Sequence, residues 1–300
     1  MTDAMLGAII GKTGADFRLW SHHASLVELC LFDERGETEL ARLSMSRGQG
    51  DVHHVFVEGL KEGARYGFRI HGPYDPAQGH WFDPSKLLID PYATELDRPF
   101  VYGARLGQFG VDTADLMPKA ILKAHKQLKP MMPLGERTGF IYEVNVKALT
   151  MLHPDVPEAQ RGTLSALAHP AILAHLRRIG IDMVELMPIT AWIDERHLPP
   201  LGLTNSWGYN PVAMMALDPR LVPGGVKELR DTVAALHAEG IGVILDLVFN
   251  HTGESDVHGT TLSLRGIDNR SLFRHVADDP GTLVNDTGCG NTLACDHPFV

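Results

Sequence analysis

The spacing of apolar residues changes near residue 138, and this change constrains the fold more than any other feature of the chain. Before it, short apolar stretches are separated by Gly, Asp and Glu; after it, strand-like and helix-like segments alternate. In the last of the early stretches, Tyr66, Phe68 and Ile70 alternate with other residues, which is typical of a half-buried antiparallel strand. Four such stretches predict a small immunoglobulin-like β-sandwich. These predicted strands are Phe17–Trp20, Leu26–Phe32, Val52–Val57 and Tyr66–Ile70.

The second half of the chain has the order strand, helix, strand, helix, strand. Both predicted helices carry an apolar stripe at helical spacing and end at a glycine, Gly180 or Gly240. The third strand is almost continuously apolar, as expected for a parallel strand that is buried on both sides. This order predicts an α/β fold with right-handed crossovers. The predicted elements are strand Phe140–Val146, helix His169–Ile179, strand Met183–Met187, helix Val226–Glu239 and strand Gly242–Asn250.

Two stretches of weak periodicity suggest how these parts are divided. Residues 104–137 include the Pro-rich run 128–133, which predicts a linker between domains. We therefore expect the β-sandwich over residues 1–103 and the α/β domain over residues 138–300. Within the latter, residues 251–300 mix Gly, Asp and Asn with few apolar runs, which predicts a loop excursion above the third strand.

Composition and charge narrow the classes of function. Apolar residues make up 44% and charged residues 21% of the 300 residues, which is typical of a soluble globular protein. The formal net charge is -10 and the pI is about 5.9, so nucleic acid is a poor candidate partner. No apolar run is long enough to span a bilayer and no signal peptide precedes the first domain, so we expect no membrane partner and a cytoplasmic location. The oligomeric state is left open.

Cysteine and histidine usage argues against disulfides and metal sites. The three cysteines, Cys30, Cys289 and Cys295, form no C-x-x-C pair, and their odd number fits free thiols in a reducing compartment. The adjacent histidines of each pair, such as His22 and His23, point to opposite faces of a strand and cannot converge on one ion. We expect no metal.

Polar residues at the carboxyl end of the third strand form the first candidate site. Asp246, Asn250 and His251 lie at the edge where α/β enzymes assemble their sites. At about 3.3 Å per residue, Asp246 lies about 13 Å below Asn250, so it is better placed to support the site than to contact His251. Taken alone, this pattern is more often structural than functional.

A second candidate is the loop that contains Trp207 and Tyr209, next to Gly208 and Pro211. Sugar rings present an apolar face of C–H groups, for which a flat aromatic side chain is a natural stacking partner. An aromatic plug packed on the rim of the fold explains the same residues equally well, and the loop alone does not separate the two interpretations.

Together the two motifs, Trp-Gly-Tyr-Asn-Pro211 and Asp246-Leu-Val-Phe-Asn-His-Thr252, resemble those of the α-amylase superfamily, the family 13 glycoside hydrolases. That resemblance implies a (β/α)8 barrel, of which three strands are expected here, so the barrel is incomplete. It also implies that His251 hydrogen-bonds the glucose before the scissile bond, that Asn250 supports it, that Tyr209 stacks on the same sugar with Trp207 beside it, and that Asp246 is a structural support.

Four further segments resemble the bacterial glycogen debranching enzymes and isoamylases within that superfamily. They are Phe68–Pro76, Trp81–Ala93, Ser263–Asn269 and Asn285–Leu293. The resemblance implies that the sandwich is a glucan-binding type of module, and that the activity is hydrolysis of α-1,6 branch linkages. The implied partner is an α-glucan such as glycogen or limit dextrin, with no cofactor.

The chain departs from the family pattern at three positions. Asn145 stands where the family often has His, Ala148 where it has Gly, and Ser206 where an aromatic residue is expected. These departures concern the fit of the substrate.

The resemblance assigns no catalytic residue to these 300 residues. In the family, the nucleophilic Asp follows a Gly-Phe-Arg-x motif on strand four and the acid Glu lies on strand five; we expect both beyond residue 300 and expect this chain alone to be inactive. The family mechanism retains configuration and uses two carboxyl groups about 5 Å apart. Glu143, Glu185 and Asp246 are on strands, but nothing in the sequence marks two of them as such a pair.

Three alternatives stay open at this point. The chain is a non-catalytic fragment that binds glucan, another superfamily member such as a branching or trehalose-forming enzyme, or a truncated product that folds poorly because an open sheet edge is exposed. The segment between the sandwich and the α/β domain favours a debranching enzyme.

Overall fold

The computed structural model describes residues 5–124 and 139–300. In the first of these ranges the regular structure is mostly strand, with short 3-10 turns at Gln49–Asp51, Pro76–Gln78 and Ala104–Gly107. The strands are β1 (Gly7–Ile10), β2 (Gly14–Trp20), β3 (Leu26–Phe32), β4 (Glu39–Arg47), β5 (Val52–Glu58), β6 (Arg65–His71), β7 (Tyr74–Asp75), β8 (His80–Trp81) and β9 (Ala120–Ile121).

Seven of these strands form an antiparallel sheet in the order β1-β2-β5-β4-β3-β6-β9. Strand β4 pairs with β3 over most of its length and with β5 through Ser46 and Arg47, so it joins the two halves of the sheet. The halves face each other across an apolar core, in which the rings of Phe17 on β2 and Tyr66 on β6 meet edge to face at 5.0 Å. The predicted β-sandwich is confirmed.

Strand β6 differs from its prediction as a half-buried strand, because both of its faces are covered. Arg69, on the face predicted to be exposed, is only 2% exposed and pairs with Asp112 at 3.0 Å. A Cβ atom on Gly67 would lie 3.0 Å from Leu88 O, which shows how closely the following segment packs on this face. A buried guanidinium needs such partners, and the alternation of side chains did not reveal them.

Only the first part of the predicted linker, residues 104–137, lies within the described residues. Its first part packs on the sandwich: β9 pairs with β6, and the buried Lys86 ammonium donates to three carbonyl oxygens of residues 105–111. Residues 125–137 lie outside the described residues. The domain boundaries therefore stay predictions.

Strands and helices alternate in the second described range, with 3-10 turns at Glu158–Gln160, Leu164–Ala168 and Pro199–Leu201. The helices are α1 (Val146–Thr150), α2 (Pro170–Ile179), α3 (Gly225–Ala238) and α4 (Leu264–Leu272). The strands are β10 (Ile141–Val144), β11 (Met183–Leu186), β12 (Thr190–Trp192), β13 (Pro211–Leu217), β14 (Gly242–Leu245), β15 (His275–Val276) and β16 (Asp279–Leu283).

Strands β10, β11 and β14 form a parallel sheet in that order, and helices α2 and α3 lie in the two crossovers. Helix α2 begins after His169, whose ring nitrogen accepts from Ala171 N, and ends at Gly180, which adopts φ = 72°. Left-handed backbone at this position is natural for glycine and stops the helix. The predicted α/β arrangement and both predicted helices are confirmed.

Two predicted strands are longer than the observed ones. Strand β10 ends at Val144 because Asn145 caps a short helix instead of continuing the strand. Strand β14 ends at Leu245 rather than Asn250, and Leu245 is 41% exposed. The prediction that this strand is buried on both sides is wrong, because Val243 and Ile244 are only partly buried and Leu245 is exposed.

Residues 251–300 are more ordered than a loop excursion. They contain α4 and the β15–β16 hairpin, and Ile267, Leu272 and Leu293 join the same apolar cluster as the sandwich core. The α/β core forms a second cluster around Val184, Leu186 and other residues. Much of the excursion therefore packs against the first domain.

An apolar groove of about 620 Å³ runs along the free side of β14, between Leu245, Phe249 and Met215.

Across residues 5–124 and 139–300, every helix is too short or too polar to cross a bilayer.

Candidate functional site

Tyr209 is fixed at both ends by residues that follow β14. Its phenolic hydroxyl donates a hydrogen bond to the Asp246 carboxylate. Its backbone carbonyl accepts from Nε2 of His251 at 2.9 Å. Two motifs that lie about forty residues apart in the sequence are thereby brought into one cluster, and Asp246 contacts Tyr209 directly.

The backbone of the loop explains why Tyr209 is placed there. Gly208 adopts φ = 82°, and a Cβ atom on it would lie 2.9 Å from Pro188 O, so only glycine fits. The side-chain oxygen of Asn205 accepts from Trp207 N and Gly208 N, both at 2.9 Å, which closes an Asx turn before the aromatic residues. The loop has no regular secondary structure, but these hydrogen bonds fix its backbone.

Trp207 lies at the outer edge of the cluster. It is 67% exposed, and its ring meets the ring of Tyr209 at 6.4 Å and an angle of 79°. An aromatic plug would be packed on several sides, so that interpretation does not hold for Trp207. An exposed indole face beside a tethered phenol can stack on the apolar face of a sugar.

His251 and Asn250 lie beside Tyr209, but His251 is only 6% exposed. Its Nδ1 is 2.8 Å from the Asn250 side-chain oxygen and its Nε2 bonds Tyr209 O, so both ring nitrogens have partners within the protein. The arrangement makes His251 a tether for the loop. A direct hydrogen bond from this ring to a sugar requires one of these partners to be exchanged.

Three carboxyl groups surround the Tyr209 phenol. Partial burial raises the pKa of Tyr209 well above its ordinary value, and Asp246, Glu143 and Glu185 raise it further. Glu143 and Glu185 are directly paired in register on β10 and β11. The phenol therefore stays protonated and keeps its hydrogen bond to Asp246 throughout the physiological pH range.

Asn145 contacts the other two positions at which the chain departs from the family pattern. The side-chain oxygen of Asn145 accepts from Ala148 N at 2.9 Å, and its amide nitrogen donates to Ser206 O at 2.7 Å. Asn145 thus caps α1 and also holds the loop next to Trp207. The three positions form one structural unit beside the site.

A polar pocket of about 340 Å³ opens next to Tyr209. Its wall comes from three loops, the one after β12, the one after β14 and the one that contains residues 285–290, together with Tyr102 from the first described range. The lining residues include Tyr102, Asp194, Glu195, Arg196, Tyr209, Asn210, Asp256, Thr260, Asn285 and Cys289.

Arg196 and Asp256 close one side of this pocket with a two-pronged ion pair at 2.7 and 3.0 Å. Within the pocket wall, Glu195 Oε2 and Thr260 Oγ1 are buried and have no hydrogen-bond partner in the described structure. Sequence reasoning missed these residues. Arg196 and Asp256 are 60 positions apart with no local signal, whereas the Asx turn at Asn205 was detectable from its sequence.

Buried side chains hold the pocket wall from behind. Asn291 accepts from Thr252 N and donates to Thr252 O, at 2.9 and 2.8 Å. The Glu254 carboxylate accepts from the amides of Leu262, Ser263 and Arg265 at the start of α4. A carboxylate at a helix N-terminus is stabilised by the unpaired N–H groups there.

Within residues 5–124 and 139–300, no group of three or more His, Cys, Asp or Glu side chains is arranged so that it could hold a metal ion. The site is thus built from aromatic rings, hydroxyls, amides and carboxylates. Such a set suits a neutral, hydroxyl-rich ligand with apolar faces better than an anion or a cation.

Comparison with known families and curated proteins identifies relatives of the chain. Residues 5–93 match carbohydrate-binding module 48, the isoamylase N-terminal domain. The chain is 46% identical to a glycogen debranching enzyme of Klebsiella pneumoniae (strain 342) over 310 aligned positions, and 45% identical to one of Salmonella typhi over 307. These alignments cover 99% and 98% of this chain and 46% of each relative, so the chain spans about half the length of the curated relatives it matches.

Solved structures of similar fold include pullulanases. One from Paenibacillus barengoltzii, in complex with maltohexaose and α-cyclodextrin, superposes with a TM-score of 0.74 at 22% identity over 99% of this chain and 45% of its own. The type I pullulanase of Bacillus subtilis, in complex with maltose, gives 0.70 at 22% over 99% and 39%. At this identity the likeness concerns the fold.

Proposed function

Because the chain is related to the glycogen debranching enzymes along nearly its whole length, we propose that it carries the glucan-binding part of an enzyme that hydrolyses α-1,6 branch linkages in glycogen. The observation that carries the proposal is the double tether of Tyr209 beside the pocket. The ligand is an α-glucan such as glycogen or limit dextrin.

In this proposal Tyr209 stacks on the sugar, and Trp207 extends the apolar surface on which the next ring lies. Asp246 orients the phenol, while His251 and Asn250 fix the backbone of the loop. A tyrosine held by one hydrogen bond through its hydroxyl and one through its backbone carbonyl loses little entropy when it binds, which favours a precise stacking geometry. His251 and Asn250 reach the sugar only if the His251 contacts rearrange.

The pocket supports a hydroxyl-rich ligand in size and chemistry. Its volume is near the lower end of the range for small-molecule sites, about 300–1,000 Å³. The side chains of Asp194, Thr260 and Asn285 line it, and carboxylate, hydroxyl and amide groups of this kind bond sugar hydroxyls. We assign the pocket to the glucan chain that continues from Tyr209.

The chemistry of hydrolysis is proposed to use carboxyl groups other than those on the three parallel strands. Asp246 is already engaged by the Tyr209 phenol, and Glu143 and Glu185 lie side by side in register on β10 and β11. A retaining mechanism needs one ionised nucleophile and one protonated acid about 5 Å apart. The residues here bind and orient the substrate.

The finer architecture is part of the same proposal. We infer that β10, β11 and β14 with their helices are the first units of a (β/α)8 barrel. The supporting observations are the parallel order with helical crossovers and the apolar groove along the unpaired side of β14. In a closed barrel a neighbouring strand covers that side.

Native electrophoresis through gels that contain glycogen tests the proposal. The 300-residue chain is expected to migrate more slowly in glycogen than in a gel with an equal mass of dextran, which lacks the main α-1,4 chain. It is expected to release no linear chains from glycogen. Equal mobility in both gels would refute glucan binding, and release of linear chains would refute the assignment of the carboxylates.

A further inference from the structure

A second set of aromatic residues lies on the surface of the sandwich, away from Tyr209. The rings of Tyr74 and Phe109 stack at 3.7 Å and 30°, yet Tyr74 is 41% and Phe109 55% exposed. Trp81 meets Tyr74 edge to face at 6.0 Å and is its register partner across the β7–β8 hairpin. We call Tyr74, Trp81 and Phe109 the aromatic platform.

The aromatic platform is held rigidly from below. The fully buried Arg265 places its guanidinium 5.3 Å from the centre of the Trp81 ring. Asp83 accepts from Gly110 N at 2.8 Å, and Lys86 Nζ donates to Gln108 O, so both neighbours of Phe109 are anchored. An exposed phenylalanine on so rigid a segment is presented to solvent and is not a loosely packed core residue.

The surroundings of the aromatic platform suit a sugar better than a lipid or a nucleic acid. The exposed side chains next to it, Asp75, Gln78 and Gln108, are acidic or amide groups that bond hydroxyls. A net charge of -10 disfavours phosphate-containing partners. In carbohydrate recognition, the apolar C–H face of a sugar stacks on aromatic rings while its hydroxyls bond polar groups around them.

Two observations select an α-glucan as the occupant. Tyr74 and Trp81 lie inside residues 5–93, which match the carbohydrate-binding module. The segment that carries Phe109 also borders the pocket: a Cβ atom on Gly107 would lie 2.8 Å from Gly259 O, and Thr261 N donates to Leu106 O at 3.1 Å. Gly259 lines the pocket, so the segment that carries Phe109 packs directly against one wall of the pocket.

We propose that the aromatic platform is a second α-glucan-binding surface, which engages a further stretch of the same polysaccharide that occupies the pocket. This inference rests on the proposed function, because it names how a long substrate is held outside the pocket. Two linked contacts raise the apparent affinity for a long ligand and leave the affinity for a short one unchanged.

The test compares glycogen and maltotriose as ligands of the 300-residue chain. The variants Tyr74→Ala and Phe109→Ala are expected to weaken glycogen binding by about tenfold, which is equivalent to about 1.4 kcal/mol, and to leave maltotriose binding within about twofold. Phe109→Tyr keeps a stacking ring and is expected to bind like the unaltered chain. Phe56→Ala removes a 53% exposed ring elsewhere on the sandwich and serves as the matched control.

Each result separates this inference from the proposed function. Unchanged glycogen binding by Tyr74→Ala and Phe109→Ala, with urea midpoints like that of the unaltered chain, overturns the second surface and leaves the pocket intact. Absence of glycogen binding by the unaltered chain overturns both. A dimer that dissociates in Phe109→Ala but not in Phe56→Ala would assign the platform to self-association and overturn the inference.

Discussion

At the scale of single residues, the side-chain amide of Asn145 makes two hydrogen bonds with separate structural roles. Its oxygen caps α1 and its nitrogen holds Ser206, so the two roles can be separated by substitution. Asn145→Asp keeps the cap and removes the donor, whereas Asn145→Ala removes both. We expect Asn145→Ala to lower the free energy of unfolding by about 1 kcal/mol, and Asn145→Asp to lower it less.

The same pair of variants reports on the loop. Both should increase the mobility of Trp207, measured as lower fluorescence anisotropy, because both lose the bond to Ser206. If Asn145→Asp leaves the anisotropy at its original value while Asn145→Ala lowers it, the bond to Ser206 does not position the loop.

His53 gives the sandwich a dependence on acid. It is 1% exposed, its Nε2 donates to Ser21 O at 3.2 Å and its Nδ1 has no partner in the described structure. Burial lowers the pKa of His53 below its ordinary value of about 6.5. The unfolded chain therefore binds a proton near pH 6.5 that the folded chain resists, so this contribution to stability is complete above pH 6.5 and is lost on acidification.

Urea unfolding between pH 7.5 and pH 5 checks this assignment. The free energy of unfolding should decrease as the pH is lowered. The contribution of His53 to this slope should be no steeper than about 1.4 kcal/mol per pH unit. His53→Gln should flatten the profile, and His54→Gln, on the exposed neighbour, should not. Identical profiles for the two variants would contradict the role of His53.

At the scale of elements, the loop between β12 and β13 owes its shape to two glycines of different kinds. Gly202 and Gly208 both have positive φ, but nothing lies within 4 Å of a Cβ on Gly202 whereas Pro188 O lies 2.9 Å from one on Gly208. Gly202→Ala should cost about 1–2 kcal/mol from backbone strain alone. Gly208→Ala should cost more and should also weaken glucan binding.

Urea midpoints and glycogen affinity for the two variants decide the point. Equal losses of stability with equal glycogen affinity would mean that the close approach to Pro188 does not shape the site.

The elements differ in how well sequence reasoning found them, for physical reasons. Leu26–Phe32 and the helix that ends at Gly180 have strong periodicity and clear stops, and both were predicted within one residue. Strand β4 alternates between partly buried and exposed residues and includes Leu40 at 66% exposure, so its apolar pattern did not mark it. The predicted elements do not include the antiparallel pair β12–β13, whose burial depends on the distant sandwich core.

The candidate site was predictable to a similar extent. Residues at the end of a parallel strand meet at one edge, and the family resemblance linked His251 to Tyr209. The tethers that Tyr209 makes through its hydroxyl and carbonyl depend on three-dimensional geometry that spacing cannot supply. The contact between Arg196 and Asp256 is equally invisible in sequence.

At the scale of the whole molecule, the excursion joins the two domains. Asp268 has a fully buried side chain and accepts from His22 N at 2.9 Å and His23 N at 3.0 Å, while Ser21 Oγ donates to Ile267 O at 2.7 Å. Asp268→Ala removes the acceptor of three backbone N–H groups, those of His22, His23 and Ser271, and should lower stability by on the order of 2 kcal/mol. Asp278→Ala, exposed in the same excursion, should have little effect.

Unfolding followed by two probes tests whether Asp268 couples the unfolding of the sandwich to that of the α/β part. Far-ultraviolet circular dichroism and tryptophan fluorescence should follow one urea transition in the unaltered chain and separate in Asp268→Ala. Two transitions already present in the unaltered chain would show that the domains unfold independently.

The central claim is that the tethered Tyr209 and the adjacent pocket bind an α-glucan, and titration with maltotetraose, monitored by tryptophan fluorescence, tests it most directly. We predict saturable binding that Tyr209→Ala weakens by at least about tenfold, while Phe56→Ala leaves it unchanged. Maltotetraose binding of equal strength in the unaltered chain and in Tyr209→Ala would contradict the account.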